Sequence, residues 1–355
     1  MCRDDLTEPV TIRKSDFLAM RALVRVLHRL QNNSSYLQLL RDRLPETVLH
    51  DPGIDSILMG YDFHIGPNGP QLIEINNNAG GLFTGRGWLV QPDIPDLQGS
   101  LEERLTGMFS ESWRCIAIMD ERIEEQYMYP EMLAFARLLE EDGRRVVLLE
   151  PSGLRAGPEG DLYANDMKID AIYNRHTDFY LLSEEMAHIR AAYLSDRIRL
   201  TPNPRSYGLL GDKRRMVDWW HEGLLESLSL AGEDIRLIRR MVPEIHLLSE
   251  MDPESVWKDR RQWVFKPVAR HGGKGVLLGR SMSRKRFEAM DPGQTVMQRY
   301  IPPAEVERAE GRFKMDIRLY THGEHLIALA GRVYQGMLTN FRSPGSGFVP
   351  LAIIP

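Results

Sequence analysis

Residues 61–81, YDFHIGPNGPQLIEINNNAGG, decide how this chain is read. The residues of "GPNG" suit a turn, and the flanking runs "ILMGYDF" and "QLIEIN" predict a hairpin over 57–76. With the turn centred on Asn68, Asp62 and Glu74 are symmetric about it and face each other, Cβ atoms ~5 Å apart. Strand alternation then puts Glu74 and Asn76 on one face and Ile73 and Ile75 on the other. Like charges placed directly opposite destabilise a hairpin unless something positive lies between them. A hard dication such as Mg2+, which takes oxygen ligands, meets that condition. A solvated face whose acids are screened by water also meets it, and a one-residue slip would remove the pairing.

The rest of the chain sets the frame for this hairpin. Its 355 residues suffice for two or three domains with their own cores. At 43% hydrophobic and 27% charged, the composition is that of a soluble globular protein. The net charge of -5 gives no reason to expect nucleic acid or an anionic membrane as partner. Cys2 and Cys115 stand far apart, which argues against a disulfide scaffold or zinc site and for a reducing compartment. No apolar run reaches the ~20 residues of a membrane span, and "MCRDDLTEPV" lacks the apolar core of a signal peptide. The expectation is a cytoplasmic protein.

Several elements follow from local pattern. Phe17, Met20, Val24 and Leu27 fall at helical spacing behind Ser15, a suitable N-cap, and predict a helix over 15–31. From Cys115, "CIAIMD", "YPEMLAFARLLEEDG", "RRVVLLEP" and "KIDAIYN" read as strand, helix, strand and strand. This alternation predicts a small α/β domain with parallel strands. Pro202, Pro204 and Gly208 mark a linker before the next helix. "QWVFKPVARHGGKGVLLG" reads as strand, glycine-rich turn and strand. "TVMQRYIPP" is a strand, and "KMDIRLYTHGEHLIALAGRVY" a hairpin turning at His322-Gly323. No further helix or strand pair is expected in "TNFRSPGSGFVPLAIIP".

Lys266 sits in "VFKP" among core residues, where an unpaired charge is costly and a bound phosphate would repay its burial. In "HGGKGV", Gly272, Gly273 and Gly275 can bring backbone N–H groups close to phosphate oxygens. The loop is neither a Walker A sequence nor a dinucleotide fingerprint. Taken alone, a plain β-hairpin with a glycine turn explains it as well. Arg318 and Arg332 lie on apolar strands near glycine loops, which points to anion binding, although strand arginines are ordinarily surface residues. His64, His176 and His271 lie near these motifs without partners at recognisable spacing, and read as structural or as substrate contacts.

Together these segments resemble the ATP-grasp superfamily of carboxylate–amine ligases, which includes glutathione synthetase and D-alanine–D-alanine ligase. The resemblance rests on "TPNPRSYGLLGDKRRM", "VFKPVARHGGKGV", "MQRYI", "DIRLY", "GRVYQGMLTNF" and the opening "D…EIN". It implies an α/β fold of two lobes that clamp ATP, preceded by a small parallel-sheet domain. It implies ATP contacts from Lys213, Lys266, His271, Gly272, Gly273, Lys274, Gly275 and Val276. Gln298, Arg299 and Ile301 would face adenine, Tyr300 beside them would also contact ATP, and Glu305 would bind the ribose. Asp62, Glu74 and Asn76 would hold one or two Mg2+ ions, and Arg332 and Arg318 would act on the transferred phosphoryl and the carboxylate. Asn174, Arg175, Asn340 and Arg86 are candidate substrate contacts.

One departure is large. The metal-binding segment ends the domain in the family and begins this chain, which implies circular permutation. The implied layout is residues 1–110 as the displaced end of the ATP-grasp domain, 111–205 as the pre-ATP-grasp domain, 206–300 as the glycine-loop lobe, and 301–355 as the second lobe. The implied activity is ATP- and Mg2+-dependent joining of a small carboxylate to an amine or thiol through an acyl phosphate. Kinase-like phosphoryl transfer and a non-catalytic nucleotide-binding module are the alternatives. Partners are small molecules, and the oligomeric state is left open, a homodimer included.

Overall fold

The hairpin forms as two eight-residue strands, Met59–Gly66 and Gly69–Asn76. Gly66 pairs with Gly69, so the turn is the two residues Pro67 and Asn68 rather than a loop centred on Asn68. Near the turn Phe63 lies opposite Leu72, yet Asp62 lies opposite Glu74. The difference is a β-bulge at Ile73, which restores the predicted carboxylate pairing by one inserted residue. The bulge also corrects the predicted faces. Leu72 and Ile75 enter the core, while Ile73 joins Glu74 and Asn76 on the side of a cleft.

These coordinates are a computed structural model describing residues 9–83, 94, 97–269, 275–337, 339–341 and 343–355. The hairpin belongs to a six-stranded antiparallel sheet built from both ends of the chain. Its order is Gly347–Val349, His325–Tyr334, Gly311–His322, Met59–Gly66 and Gly69–Asn76, with Ala304–Arg308 paired to Gly311–His322. Strand Gly311–His322 pairs with Met59–Gly66 from Ile317–Phe63 to Thr321–Met59, a separation of over two hundred residues. The ends meet again where Val10–Arg13 pairs in parallel with Leu351–Ile354. The expectation of no strand after "TNF" is therefore corrected. Gly347–Val349 and Leu351–Ile354 are strands too short to show a pattern, and the partner of Leu351–Ile354 is Val10–Arg13, at the other end of the chain.

The chain passes from strand Val10–Arg13 directly into helix Lys14–Gln31, so Arg13, not Ser15, holds the N-cap position. The predicted apolar stripe is buried at Phe17, Met20, Val24 and Leu27 and packs into the main core with Tyr61, Phe63, Ile317 and Leu319. The hairpin after Gly311 turns on Gly323 and Glu324, since His322 pairs with His325. A second antiparallel sheet runs Ile245–Leu247, Thr295–Arg299, Trp263–Pro267, Leu277–Leu278. The parallel sheet predicted from Cys115 onward exists, with order Arg199–Thr201, Ala171–Asn174, Cys115–Met119, Arg145–Leu149. Helix Tyr129–Glu141 has its proline in the first turn, and Gly143 follows at φ +85°. Residues 203–212 are not a solvated linker. Asn203 caps a short helical turn by accepting from Ser206 N, and Leu209 and Leu210 are fully or nearly fully buried.

Candidate active site

The two antiparallel sheets and the carboxyl end of the parallel sheet line one cleft of about 380 Å³, within the size range of small-molecule sites. Asp62, Glu74, Asn76, Lys266, Gln298, Arg318, Arg332, Asn340 and Arg175 all line it. Residues from the first eighty positions thus share a cleft with residues beyond 260.

The register of the large sheet sets the charges. Arg318 lies directly across from Asp62, and Arg332 across from Asp316. Arg318 grips Asp62 with both prongs, Nε to Oδ1 and Nη2 to Oδ2, each at 2.6 Å. Arg332 reaches Asp62 Oδ2 with Nη2 at 2.9 Å and Asp316 Oδ1 with Nε at 2.5 Å. Asp316 also accepts from Thr339 Oγ1 at 2.7 Å. Burial alone would raise the Asp62 carboxyl, but the charges and hydrogen bonds of Arg318 and Arg332 outweigh it and hold it far below the usual range. The positive charge expected between the hairpin acids is therefore, for Asp62, a pair of guanidinium groups.

Glu74 faces Lys213, whose Nζ lies 3.3 Å from Glu74 Oε1. Lys213 opens helix Lys213–Asp218, and Asp212 caps that helix by accepting from Arg214 N. Lys266 is buried on strand Trp263–Pro267. Its Nζ donates to Gln298 Oε1 at 2.6 Å and to Ile73 O at 2.9 Å. The bulge takes Ile73 out of the ladder and leaves its carbonyl for Lys266. Burial lowers the Lys266 ammonium to about 8. Gln298 Nε2 is buried with no acceptor among the described residues, and Gln298 lines the same cleft.

The remaining candidates divide. Tyr300, Ile301 and Val276 line the cleft; Ile301 O bonds His64 Nδ1 at 2.7 Å, and Gly275 adopts φ +80°. Arg299 also borders the cleft, but its guanidinium pairs with Glu244 at 2.9 Å, bonds Gln262, and stacks 4.6 Å from the Trp263 ring centroid. Glu305 is not brought to the cleft. It lies on an exposed strand near Arg312, at 3.5 Å, along a separate groove. Asn340 Nδ2 donates to Gln335 O. Asn174 is buried, accepts from His176 N, and turns away from the cleft lining. His271, Gly272, Gly273, Lys274 and Arg86 lie outside the described residues.

Two acids escaped the sequence reading. Asp316 stands two residues before Arg318, hence on the same strand face, and that spacing in "MDIR" was the available signal. Glu131, on the first turn of helix Tyr129–Glu141, is buried and its Oε2 accepts from Gly81 N at 2.8 Å and Phe83 N at 3.4 Å. Burial raises its carboxyl above the usual range. It fixes the loop that follows "EINNN", where Gly81 has φ +100° and a Cβ would lie 2.2 Å from Phe348 Cζ.

Mg2+ requires hard oxygen donors, usually one or two carboxylates with substrate phosphates. Among the described residues no three His, Cys, Asp or Glu side chains are grouped to hold a metal. Both Asp62 oxygens are taken by Arg318, Arg332 and Asn76 Nδ2, the last at 3.2 Å. Glu74 Oε2 and Asn76 Oδ1, both hard oxygen donors on cleft-lining residues, have no partner among the described residues. Two such donors fit an ion that brings phosphate oxygens and water with it, not a bare ion held by protein alone.

Comparison with known proteins places the architecture. No family model matches the sequence, and no curated protein is similar to it. Among solved structures, the chain is similar to a glutathione synthetase-like effector, GSS30, from Globodera pallida. The TM-score is 0.61 at 10% identity, over 98% of this chain and 89% of that one. It is also similar to a putative gamma-glutamylcysteine synthetase from Methylobacillus flagellatus KT. There the TM-score is 0.54 at 14% identity, over 94% of this chain and 87% of that one.

Proposed function

We propose, from an ATP-grasp-type fold with mixed helices and sheets, that the protein is an ATP- and Mg2+-dependent ligase that joins a small carboxylate to an amine or thiol through an acyl phosphate. One observation carries the reading. Lys266, Arg318 and Arg332 line one cleft with Glu74 and Asn76, far from them in the chain, and Lys213 Nζ lies 3.3 Å from Glu74 Oε1. Such an array serves polyphosphate better than it serves stability, because Lys266 is buried with only neutral oxygens bonded to it.

In this reading Lys213 and Lys266 bind phosphate oxygens, and Gln298 offers its unused Nε2 to the base. Glu74 Oε2 and Asn76 Oδ1 would hold Mg2+, which when bound neutralises charge on the phosphates. Arg332 and Arg318 face the transferred phosphoryl and the attacking carboxylate. Asp62 and Asp316 hold the two guanidinium groups in place, so little reorganisation is needed as charge moves. The carboxylate oxygen attacks the γ-phosphorus and ADP leaves. The amine then attacks the acyl carbon and phosphate leaves. No side-chain nucleophile is required.

The same reading takes 1–110 and 301–355 as one lobe completed from both termini, 206–300 as the other lobe, and 111–205 as the pre-ATP-grasp domain. It makes the order a circular permutation of the family's. A screen of acid and amine pairs for ADP release tests it. ADP release that requires both partners supports ligation. Release with an acid or alcohol alone supports a phosphotransferase, and no nucleotide binding removes the proposal.

A further inference from the structure

The chain has ten histidines, and three of them gather around one aspartate that takes no part in the cleft. His28 lies on helix Lys14–Gln31, and Asp55 on the segment before strand Met59–Gly66. His322 and His325 pair across the turn Gly323–Glu324. His28 Nε2 lies 3.0 Å from Asp55 Oδ1. The other carboxylate oxygen is seated against the turn itself. Gly323 has φ +57°, and a Cβ there would stand 2.5 Å from Asp55 Oδ2 and 3.3 Å from His28 Nε2. Any side chain at this position would displace the carboxylate, so glycine is what admits it. Asp55 thus joins a helix near the start of the chain to a turn near its end.

Charge decides when this joint holds. The hydrogen bond between them raises the His28 imidazole above 6.5 and lowers the Asp55 carboxyl below 3.8, so the pair is ionised at pH 6.5. His322 behaves in the opposite way. Burial, together with the charges of His325 and His28, outweighs the pull of Asp55 and lowers it below 6.5. The other charges at the joint are the exposed Glu324, which favours charged His28 and also acts on Arg21, and Arg29, which opposes it. One imidazolium therefore matches one buried-side carboxylate, and a second has only Glu324 to turn to among the described residues. Stability from the His28–Asp55 pair is complete below pH 6.5 and is lost as pH rises through the folded His28 value. The cost of charging His322 is absent above pH 6.5 and grows as pH falls toward its folded value.

We propose that this cluster is an acid-sensitive clasp, which holds the turn Gly323–Glu324 on helix Lys14–Gln31 while His28 alone is charged and releases it when His322 is charged as well. The turn closes the two strands that carry Arg318 and Arg332, and the pairing of Thr321 with Met59 begins beside it. Release would loosen the end of the ladder that joins the first part of the chain to the last. The clasp does not depend on the ligase reading.

Hydrogen exchange of the full chain tests it, read by mass spectrometry on peptides spanning the turn and corrected for the intrinsic effect of pH. Between about pH 7.5 and about pH 5.5 protection of the turn is expected to fall several-fold, while protection of strand Cys115–Met119 holds. His322→Gln should abolish the fall, and His325→Gln should reduce it. Asp55→Asn should leave the turn exchanging fast at both pH values. Titration of the imidazole signals by NMR gives the order of events, with His28 charging before His322 as pH falls. Protection of the turn that does not change with pH overturns the proposal. So does a fall shared equally by Cys115–Met119, a fall of undiminished size in both histidine variants, or a His322 that charges before His28.

Discussion

If the cleft takes a nucleotide as proposed, Lys266 should couple that binding to proton uptake. Burial lowers its ammonium from the usual 10.5 to about 8. At roughly 1.4 kcal/mol per tenfold change in proton affinity, holding that buried charge costs about 3 kcal/mol. Because the folded value lies below the unfolded one, the free protein carries this cost below pH 8 and sheds it as pH rises from about 8 to 10.5. Bound phosphate would add negative charge to that of Glu74 and Asp62 and return the lysine toward its usual value. Nucleotide binding should then take up ~0.1 proton at pH 7, ~0.5 at pH 8 and ~0.9 at pH 9. Affinity should fall about tenfold between pH 7 and pH 9. Calorimetry of Mg·ADP binding in buffers of different ionisation enthalpy reads this directly. Lys266→Met should abolish the uptake and flatten the pH profile. Wild-type binding with no proton uptake at pH 8 to 9, where phosphates with a second pKa of about 6 are fully ionised, would refute the reasoning.

Three substitutions probe the cleft from other sides. Asp62→Asn removes the charge shared by the buried Arg318 and Arg332 and should cost about 3–5 kcal/mol in urea unfolding; a loss below 1 kcal/mol would mean the clamp is not formed. Glu74→Ala, on a half-exposed residue, should leave the unfolding midpoint nearly unchanged and abolish Mg2+-dependent ATP turnover; retained turnover would remove Glu74 from the metal site. Gly81→Ala should lower stability by about 1–3 kcal/mol from backbone strain, beyond which its Cβ meets Phe348 Cζ at 2.2 Å; an unchanged melting temperature would contradict that packing.

The opening hairpin was legible because turn residues and two alternating strands are local signals. Its Asp62–Glu74 pairing was reached with a turn one residue too long and no bulge, two errors that cancel. They did not cancel for Ile73, whose face and free carbonyl depend on the bulge itself. The strand-helix-strand pattern from Cys115 was readable for the same local reason. The pairing of Val10–Arg13 with Leu351–Ile354 was not, since a four-residue strand carries no record of a partner over three hundred residues away. The arginine–aspartate network was half legible. Arg318 and Arg332 stood out as charges on apolar strands, but their partners follow from register, which a sequence does not print. Glu305 shows the limit of counting: the strand Ala304–Arg308 turns it to the outer groove.

The most direct measurement of the central claim is ADP release by the full chain with Mg·ATP, acid and amine supplied singly and together. The account expects release only when both are present, with an amide or thioester formed in equal amount. Release with one partner alone, or none with any pair despite bound nucleotide, would contradict it.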